Sequence, residues 1–363
     1  MIRMLHAADL HLDSPFAALA PEQATQRREE QRQMVRRLIQ ECERRNCQLL
    51  LLSGDLFDSE HVYRQTVDLL REELGRVHAR VFIAPGNHDP YSPSSVYATV
   101  DWPENVHIFR SRTVETVFLE KLGLNVCGAA FLESRQTGLL DNFHAPQNGA
   151  PSVMVLHGTL GDANSPYNPI SDDQIAHSGL SYLALGHVHR AGEKRIGKTT
   201  VGNPGCAMGR GFDETGEKGA YFVQLDGEGC TLTFVPLGGR AYQTLTVSVA
   251  DDPKASIEAA LGSNSKIKRD IYRITLTGTC LRPDLGSLHA ALAPLFYSLE
   301  LIDETVPPSS LWACAQDDSL KGEYLRQLKT LYDQTAEPEE RRLIANAARL
   351  GLDLMEGREV TAG

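Results

Sequence analysis

The sequence predicts an α/β protein followed by a small α+β module and C-terminal helices. Three observations carry this. Short apolar runs that read as buried strands alternate with amphipathic helical stretches over residues 1–240. Several of those runs end in Asp, Asn or His, as strands do where a sheet presents ligands at its C-terminal edge. After Gly238-Gly239 the composition shifts, and beyond about residue 320 only helical periodicity remains.

Taken in order, Leu5-His6-Ala7-Ala8-Asp9-Leu10-His11 is a strand with Asp9 and His11 at its end. Residues 21–45 follow as a helix, with Met34, Val35, Leu38, Ile39 and Cys42 at helical spacing. Its other side holds Arg27, Arg28, Arg32, Arg36 and Arg37, read as a solvated outer face, with a phosphate-tracking face as the alternative. Leu50-Leu51-Leu52-Ser53 is a buried strand that delivers Gly54-Asp55-Leu56-Phe57-Asp58. A helix over residues 63–78 leads to Val81-Phe82-Ile83-Ala84 and then Pro85-Gly86-Asn87-His88-Asp89. Residues 106–109, 113–119 and 124–130 read as strands, and 139–151 as a loop. Strands resume ahead of His157 and ahead of Gly186-His187-Val188-His189. Residues 193–201 and 220–235 read as hairpins, the second turning at Asp226-Gly227-Glu228-Gly229.

The second part, residues 241–305, shows strand 244–249, helix 253–261, strand 270–276, helix 284–296 and strand 298–302. Residues 306–363 begin with a linker, Val306-Pro307-Pro308-Ser309-Ser310. Two helices follow, with Leu320, Tyr324, Leu328 and Leu331 on one face of the first. Leu343, Ala347, Leu350 and Leu354 share a face of the second, which starts near Pro338.

Length and composition set the bounds. With 363 residues, 42% hydrophobic and 23% charged, the chain can bury a core in two domains, or in one with an appendage. No stretch has the length of a transmembrane helix, and no membrane partner is expected. The chain runs straight into a strand without a cleavable signal pattern, and seven scattered cysteines show no paired spacing. A reduced, cytoplasmic protein is the expectation. A net charge of −11 argues against non-specific nucleic-acid binding by the whole surface, though not against a local basic groove.

The chemistry lies in a set of seven: Asp9, His11, Asp55, Asn87, His157, His187 and His189. For one Asp or His alone, a capped turn or a satisfied core group is the better reading; seven at strand ends make that reading untenable. Carboxylate, amide and imidazole donors without thiolate suit Mn, Fe or Zn. The x-Asp-x-His and His-x-His spacings point both side chains of a pair the same way on extended backbone. With Asp55 as a bridge, four donors would surround each of two metals. Two metals ~3.5–4 Å apart polarise a phosphoryl group and generate hydroxide near neutral pH. His88, beside Asn87, would donate a proton to the leaving oxygen or stabilise phosphoryl charge. Asp58 and Asp89 would orient that ring or a ligand histidine, or else cap turns.

Asp9-x-His11, Gly54-Asp55-x-x-Asp58, Gly86-Asn87-His88-Asp89, His157-Gly158 and Gly186-His187-x-His189 together resemble the calcineurin-like metallophosphoesterase superfamily. The resemblance spans residues 1–240. His6 to Pro15, Gly202-Asn203-Pro204 and the stretch 209–219 are similar to its DNA-repair exonuclease branch, of SbcD/YhaO type. The resemblance implies a four-layered αββα catalytic domain. It implies one metal, manganese foremost, held by Asp9, His11, Asp55 and His189, and a second held by Asp55, Asn87, His157 and His187. It assigns His88 as the catalytic histidine. Where archaeal and eukaryotic relatives carry a second catalytic histidine, this chain has Asp58, as bacterial ones commonly do. The resemblance also implies a small DNA-capping domain after residue 240 and an SMC-like ATPase partner that grips C-terminal helices; a homodimer is a further assembly to expect. The activity expected is therefore a metal-dependent hydrolase, a nuclease of DNA repair. A small-molecule phosphodiesterase or phosphatase on the same metals is the alternative, and a scaffold without activity is disfavoured because no ligand position is lost.

Overall fold

The computed structural model describes residues 1–357 apart from 228, 250–251, 281–282 and 307–308. They form two compact units, Met1–Ala241 and Tyr242–Gly363. In chain order the first unit runs β1 (Ile2–Ala7), α1 (Pro21–Arg44), β2 (Leu49–Ser53), α2 (Arg64–Arg76), β3 (Arg80–Ala84), α3 (Val96–Thr99), β4 (Val106–Ile108), β5 (Glu115–Leu119) and β6 (Leu124–Gly128). It continues with β7 (Ser152–His157), β8 (Thr159–Leu160), β9 (Pro169–Ile170), α4 (Asp172–Ser178), β10 (Tyr182–Gly186), β11 (Gly192–Ile196), β12 (Thr199–Asn203), β13 (Gly219–Asp226) and β14 (Gly229–Pro236).

Two six-stranded sheets result, ordered β14-β13-β1-β2-β3-β4 and β11-β12-β10-β7-β6-β5. Their centres are parallel, β1 to β4 in one and β12, β10, β7 and β6 in the other. The antiparallel hairpins sit at the edges. Strand β2 shows why the apolar runs are continuous rather than alternating: both of its faces are covered. Leu50 and Leu52 pack with Met34, Val35, Leu38 and Ile39 of α1 and Leu70 and Leu74 of α2. Leu49 and Leu51 turn the other way, onto Val126, Val153, Val155 and Tyr182 of the second sheet. The far side of that sheet buries Met154, Leu156, Leu183 and Leu185 against Ile175 of α4 and the loop residues Leu139, Leu140 and Ala145. The layers are thus helix, sheet, sheet, helix, but the last is thin: α4 has 7 residues, and loops complete the cover.

The arginine face of α1 differs from expectation. Arg27 is fully buried, paired with Glu30 and donating from Nη2 to the Gly209 carbonyl at 2.7 Å. Arg32 pairs with Glu29 and lies near Asp13, and Arg36 lies near Glu29 and Glu73. Neighbouring carboxylates pair with Arg27, Arg32 and Arg36, while Arg28 bonds Thr25 and the Pro15 carbonyl and Arg37 Nε and Nη2 make no hydrogen bond among the described residues, so three of the five arginines are taken up in ion pairs.

The second unit contains β15 (Tyr242–Val249), α5 (Pro253–Leu261), β16 (Ile271–Gly278), α6 (Leu285–Leu292) and β17 (Ser298–Asp303). A 3₁₀ segment, Ser309–Gln316, then leads to α7 (Leu320–Gln334) and α8 (Pro338–Met355). The three strands pair in parallel in the order β15-β16-β17. Helical crossovers between parallel strands make this module a small α/β unit rather than segregated α+β. Asp252 and Asp284 cap its helices by accepting from the backbone amides of Ala255 and Ser287. The expected linker falls partly on residues 307–308, outside the described residues, as does Glu228 of the hairpin turn.

α7 and α8 bury Leu325, Ala345 and Ala348 with Leu311 and Ala315. The stripes read from the sequence are buried only in part: Tyr324 and Leu328 pack against this cluster, whereas Leu320, Leu331, Leu343 and Leu354 are all more than half exposed. The reason is close approach. A Cβ at Gly351 would collide with the Tyr324 ring, and Tyr324 Oη donates to the Ala347 carbonyl at 2.6 Å. α8 therefore packs on its small residues, leaving bulkier ones outside. Among the described residues no helix is long and apolar enough to cross a membrane.

Candidate metal centre

The site forms where the parallel strands of both sheets end. β1 delivers Asp9 and His11, β2 Asp55 and Asp58, β3 Asn87, His88 and Asp89, β7 His157, and β10 His187 and His189. The first two loops are zipped together: Asp9 N donates to Gly54 O at 3.1 Å, His11 N to Asp55 O at 2.9 Å, and Leu12 N to Leu56 O at 2.8 Å. Asp9, His11 and Asp55 adopt left-handed backbone (φ 51°, 43° and 51°), and His187 has φ 102°. Such strain concentrates at functional sites and persists where surrounding bonds over-determine it. Here the His187 amide donates to both carboxylate oxygens of Asp9, at 3.1 and 3.0 Å. Glycine is required at two of the approaches. A Cβ on Gly86 would collide with the Asp55 carboxylate, and one on Gly186 with the Ser53 carbonyl.

The side chains gather into two adjoining groups. Asp9, His11 and His189 form one, and Asp55, His157 and His187 the other, each with donor atoms within 4.8 Å of one another. Asn87 Oδ1 completes the second group, 2.9 Å from His157 Nε2 and 3.0 Å from His187 Nδ1. Asp55 Oδ2 stands between the groups, 3.4 Å from His157 Nε2 and 3.8 Å from His11 Nε2. Hard oxygen and imidazole donors in two groups that share a carboxylate fit two divalent cations. Asp9, His11, Asp55 and His157 are all at most 1% exposed, too dry for unpaired charge.

The three other sequence candidates part company. His88 lines the groove outside the two groups; its Nδ1–H donates to the Asp58 carbonyl at 2.9 Å, and its amide to Asp55 Oδ1 at 3.0 Å. Asp58 turns its carboxylate to Arg210 Nη1 at 2.5 Å and to His11 Nδ1 at 3.1 Å. Asp89 faces inward, accepting from Phe57 N at 3.0 Å, Gly86 N at 2.8 Å and Tyr97 Oη at 2.5 Å, so it ties loops together and does not touch the His88 ring. Arg210 and Glu214 escape sequence reasoning as individual residues: Glu214 accepts from His189 Nδ1 at 2.6 Å. Tyr167, also unforeseen, sets its ring 4.9 Å from that of His187.

The family model of the calcineurin-like phosphoesterases matches residues 2–191. This chain belongs to that family. Membership indicates a phosphoesterase hydrolase with a dinuclear metal site. YhaO of Bacillus subtilis strain 168, an uncharacterised metallophosphoesterase, is 29% identical over 342 residues, covering 89% of this chain and 83% of its own length. The DNA double-strand break repair protein Mre11 of Aeropyrum pernix is 25% identical over 273 residues, covering 69% of this chain and 64% of its own. Among solved structures, an archaeal phosphodiesterase aligns with a TM-score of 0.36 at 14% identity, over 64% of this chain and 100% of its own.

Electrostatics in this calcineurin-like phosphoesterase centre follow from burial and proximity. Burial alone would lower the His157 pKa, but the Asp55 carboxylate overrides it and lifts the ring to about 9. Burial and then the charge on His157 push His187 down to about 4. Burial raises Asp89 to about 7, with Asp55 adding to the shift. His157 therefore carries a proton at neutral pH until a cation takes its place, because a ligand imidazole must be neutral. Manganese uptake is expected to release protons below about pH 9, with apparent affinity rising from pH 7 toward that value. Calorimetric titration in buffers of different ionisation enthalpy checks this; a heat of binding independent of buffer refutes it.

Proposed function

We propose that this phosphoesterase is a metal-dependent DNA nuclease that cleaves phosphodiester bonds in repair or end processing, with manganese as its working metal. The observation that carries the reading is the groove beside the two donor groups. It has a volume of about 540 Å³ and is lined by Asp58, Ser59, Glu60 and His61, by Asn87 and His88, and by Ser134, Arg135 and Tyr167. His61, Ser134 and Arg135 are exposed. Small-molecule sites enclose most of their ligand; an open trough with a cation on its rim suits a polymer backbone passing through. The likeness to a double-strand break repair protein over 69% of the chain supports the same reading.

Two divalent cations held by these donors would supply Lewis acidity toward a phosphoryl oxygen and a nucleophile at neutral pH. The chain's own residues position and protonate. His88, pinned through Nδ1–H to the Asp58 carbonyl, offers Nε2 to the groove, where its imidazolium form would donate a proton to the departing oxygen. Arg135 meets a neighbouring phosphate. Tyr167 walls the His187 side.

The test presents the purified chain with linear duplex, single-stranded and plasmid DNA and with a chromogenic phosphodiester, with manganese and with a chelator. Manganese-dependent DNA cleavage that chelation abolishes is the expected result. Hydrolysis of the small ester alone identifies a small-molecule phosphodiesterase and ends the nuclease reading. We also propose that an SMC-like ATPase covers the leucines left exposed on α7 and α8. Co-purification with such an ATPase, lost in Leu343→Asp, supports that assembly, and its survival in the variant removes it.

A further inference from the structure

We infer that Glu214, Arg210 and Asp58 form a bracket that presents His11 and His189 to one of the two cations, and to that one only. The inference rests on the dinuclear reading above and concerns residues outside the donor groups. Glu214 is 4% exposed and is saturated by three donors: His189 Nδ1 at 2.6 Å, Arg210 Nη2 at 3.0 Å and the Arg210 amide at 2.7 Å. The same guanidinium reaches across to Asp58 Oδ1 at 2.5 Å, and that oxygen lies 3.1 Å from His11 Nδ1. One arginine thus holds two carboxylates, and each carboxylate faces the Nδ1 of one imidazole.

At His189 the Glu214 carboxylate accepts from Nδ1, which in the neutral ring leaves Nε2 as a lone pair; at His11 the Asp58 carboxylate lies 3.1 Å from Nδ1 as an ion-pair contact without a hydrogen bond. Both Nε2 atoms then aim at the same space, 3.1 Å apart. Either a proton shared between the two rings or a cation between their axes satisfies that pair, and a divalent cation held there would displace the proton. His189 Nε2 is also 3.8 Å from Asp9 Oδ1, which completes the group. The other half is held differently. His157 Nδ1 donates to the Ser53 carbonyl at 2.9 Å, a neutral backbone partner, and neither Arg210 nor Glu214 bonds to His157, His187 or Asn87 among the described residues. The loop that carries the bracket is fastened to α1 by the buried Arg27 through the Gly209 carbonyl, which gives that arginine a purpose in the interior.

The experiment is a manganese titration by calorimetry and electron paramagnetic resonance of the wild type, Glu214→Gln, Arg210→Met and Arg210→Lys, with melting curves for each. The wild type should bind two ions. Glu214→Gln and Arg210→Met should keep one at wild-type affinity and hold the other about 10–100-fold more weakly. Arg210→Lys should recover only part of the loss, because an ammonium cannot fork between two carboxylates. Two ions bound to Glu214→Gln at wild-type affinity overturn the bracket and leave the dinuclear reading standing. Equal weakening of both ions also overturns it, since the three residues would then be general scaffold. Fewer than two ions in the wild type overturn the reading on which the bracket rests. Glu214→Gln is nearly isosteric, so a folding failure of Arg210→Met does not remove the test.

Discussion

Asp55→Ala should release both cations and bring phosphodiester hydrolysis to background. Asp55 Oδ2 is the carboxylate oxygen that stands between the two groups, within 3.4 Å of His157 Nε2 and 3.8 Å of His11 Nε2. Removing it takes a charge from both positions at once. Loss of a partner outside the donor set costs about 10–100-fold in metal affinity, and loss of a shared ligand should exceed that for each ion. Alanine carries a second burden: the residue has φ 51°, and a left-handed alanine costs about 1–2 kcal/mol. Asp55→Asn separates the effects, because asparagine tolerates that backbone and keeps an acceptor for the His88 amide that Oδ1 now binds at 3.0 Å. It should lose both ions while melting, metal-free, near the wild type. Asn87→Ala is the contrast. Among the described residues its Oδ1 meets His157 and His187 alone, so one ion should weaken and the other stay. Metal analysis of the three variants checks the set; two ions retained by Asp55→Asn with normal turnover would remove Asp55 from its bridging role.

What the sequence reveals here, and what it hides, follows from how local each signal is. A strand of the type Leu-Leu-Leu-Ser-Gly-Asp is readable because burial on both faces, chain reversal and the ligand all lie within a few residues. His187 and His189 are readable for the same reason. Glu214 is hidden because its partner, His189, lies 25 positions away across a hairpin, and nothing periodic in residues 209–219 says which acid turns inward. Asp89 shows the opposite error. Its place in Gly86-Asn87-His88-Asp89 suggests chemistry, yet Phe57, Gly86 and Tyr97 absorb both oxygens, and no pattern marks Tyr97 as their neighbour. The leucines of α7 and α8 fail on geometry. Periodicity finds an apolar side, but Gly351 and Ala348 decide which side can come close enough to be covered.

His88→Ala should lower turnover by on the order of 10²–10⁴ while both ions remain bound. That range is about 3–5 kcal/mol of transition-state stabilisation, the size expected for one positioned acid or charge stabiliser. The prediction needs His88 to be a non-ligand, and the geometry bears on that from two sides. The ring lies near His11 and Asp58, close enough for the three to share an ion. Two of those donors are engaged elsewhere, however: His88 Nδ1 by the Asp58 carbonyl and Asp58 Oδ1 by the Arg210 guanidinium. Only Nε2 is left, on an exposed ring at the groove, where a leaving oxygen would pass. A group that acts only on the departing oxygen should matter less as that oxygen becomes a better leaving group. His88→Ala should therefore lose more activity on DNA than on a chromogenic ester whose phenolate departs without help. It should also lose the limb of the pH–rate profile that reports the acid. An ion missing from His88→Ala would make the residue a ligand. Equal losses on both substrates, with both ions present, would assign it to holding the phosphoryl group rather than to protonating what leaves.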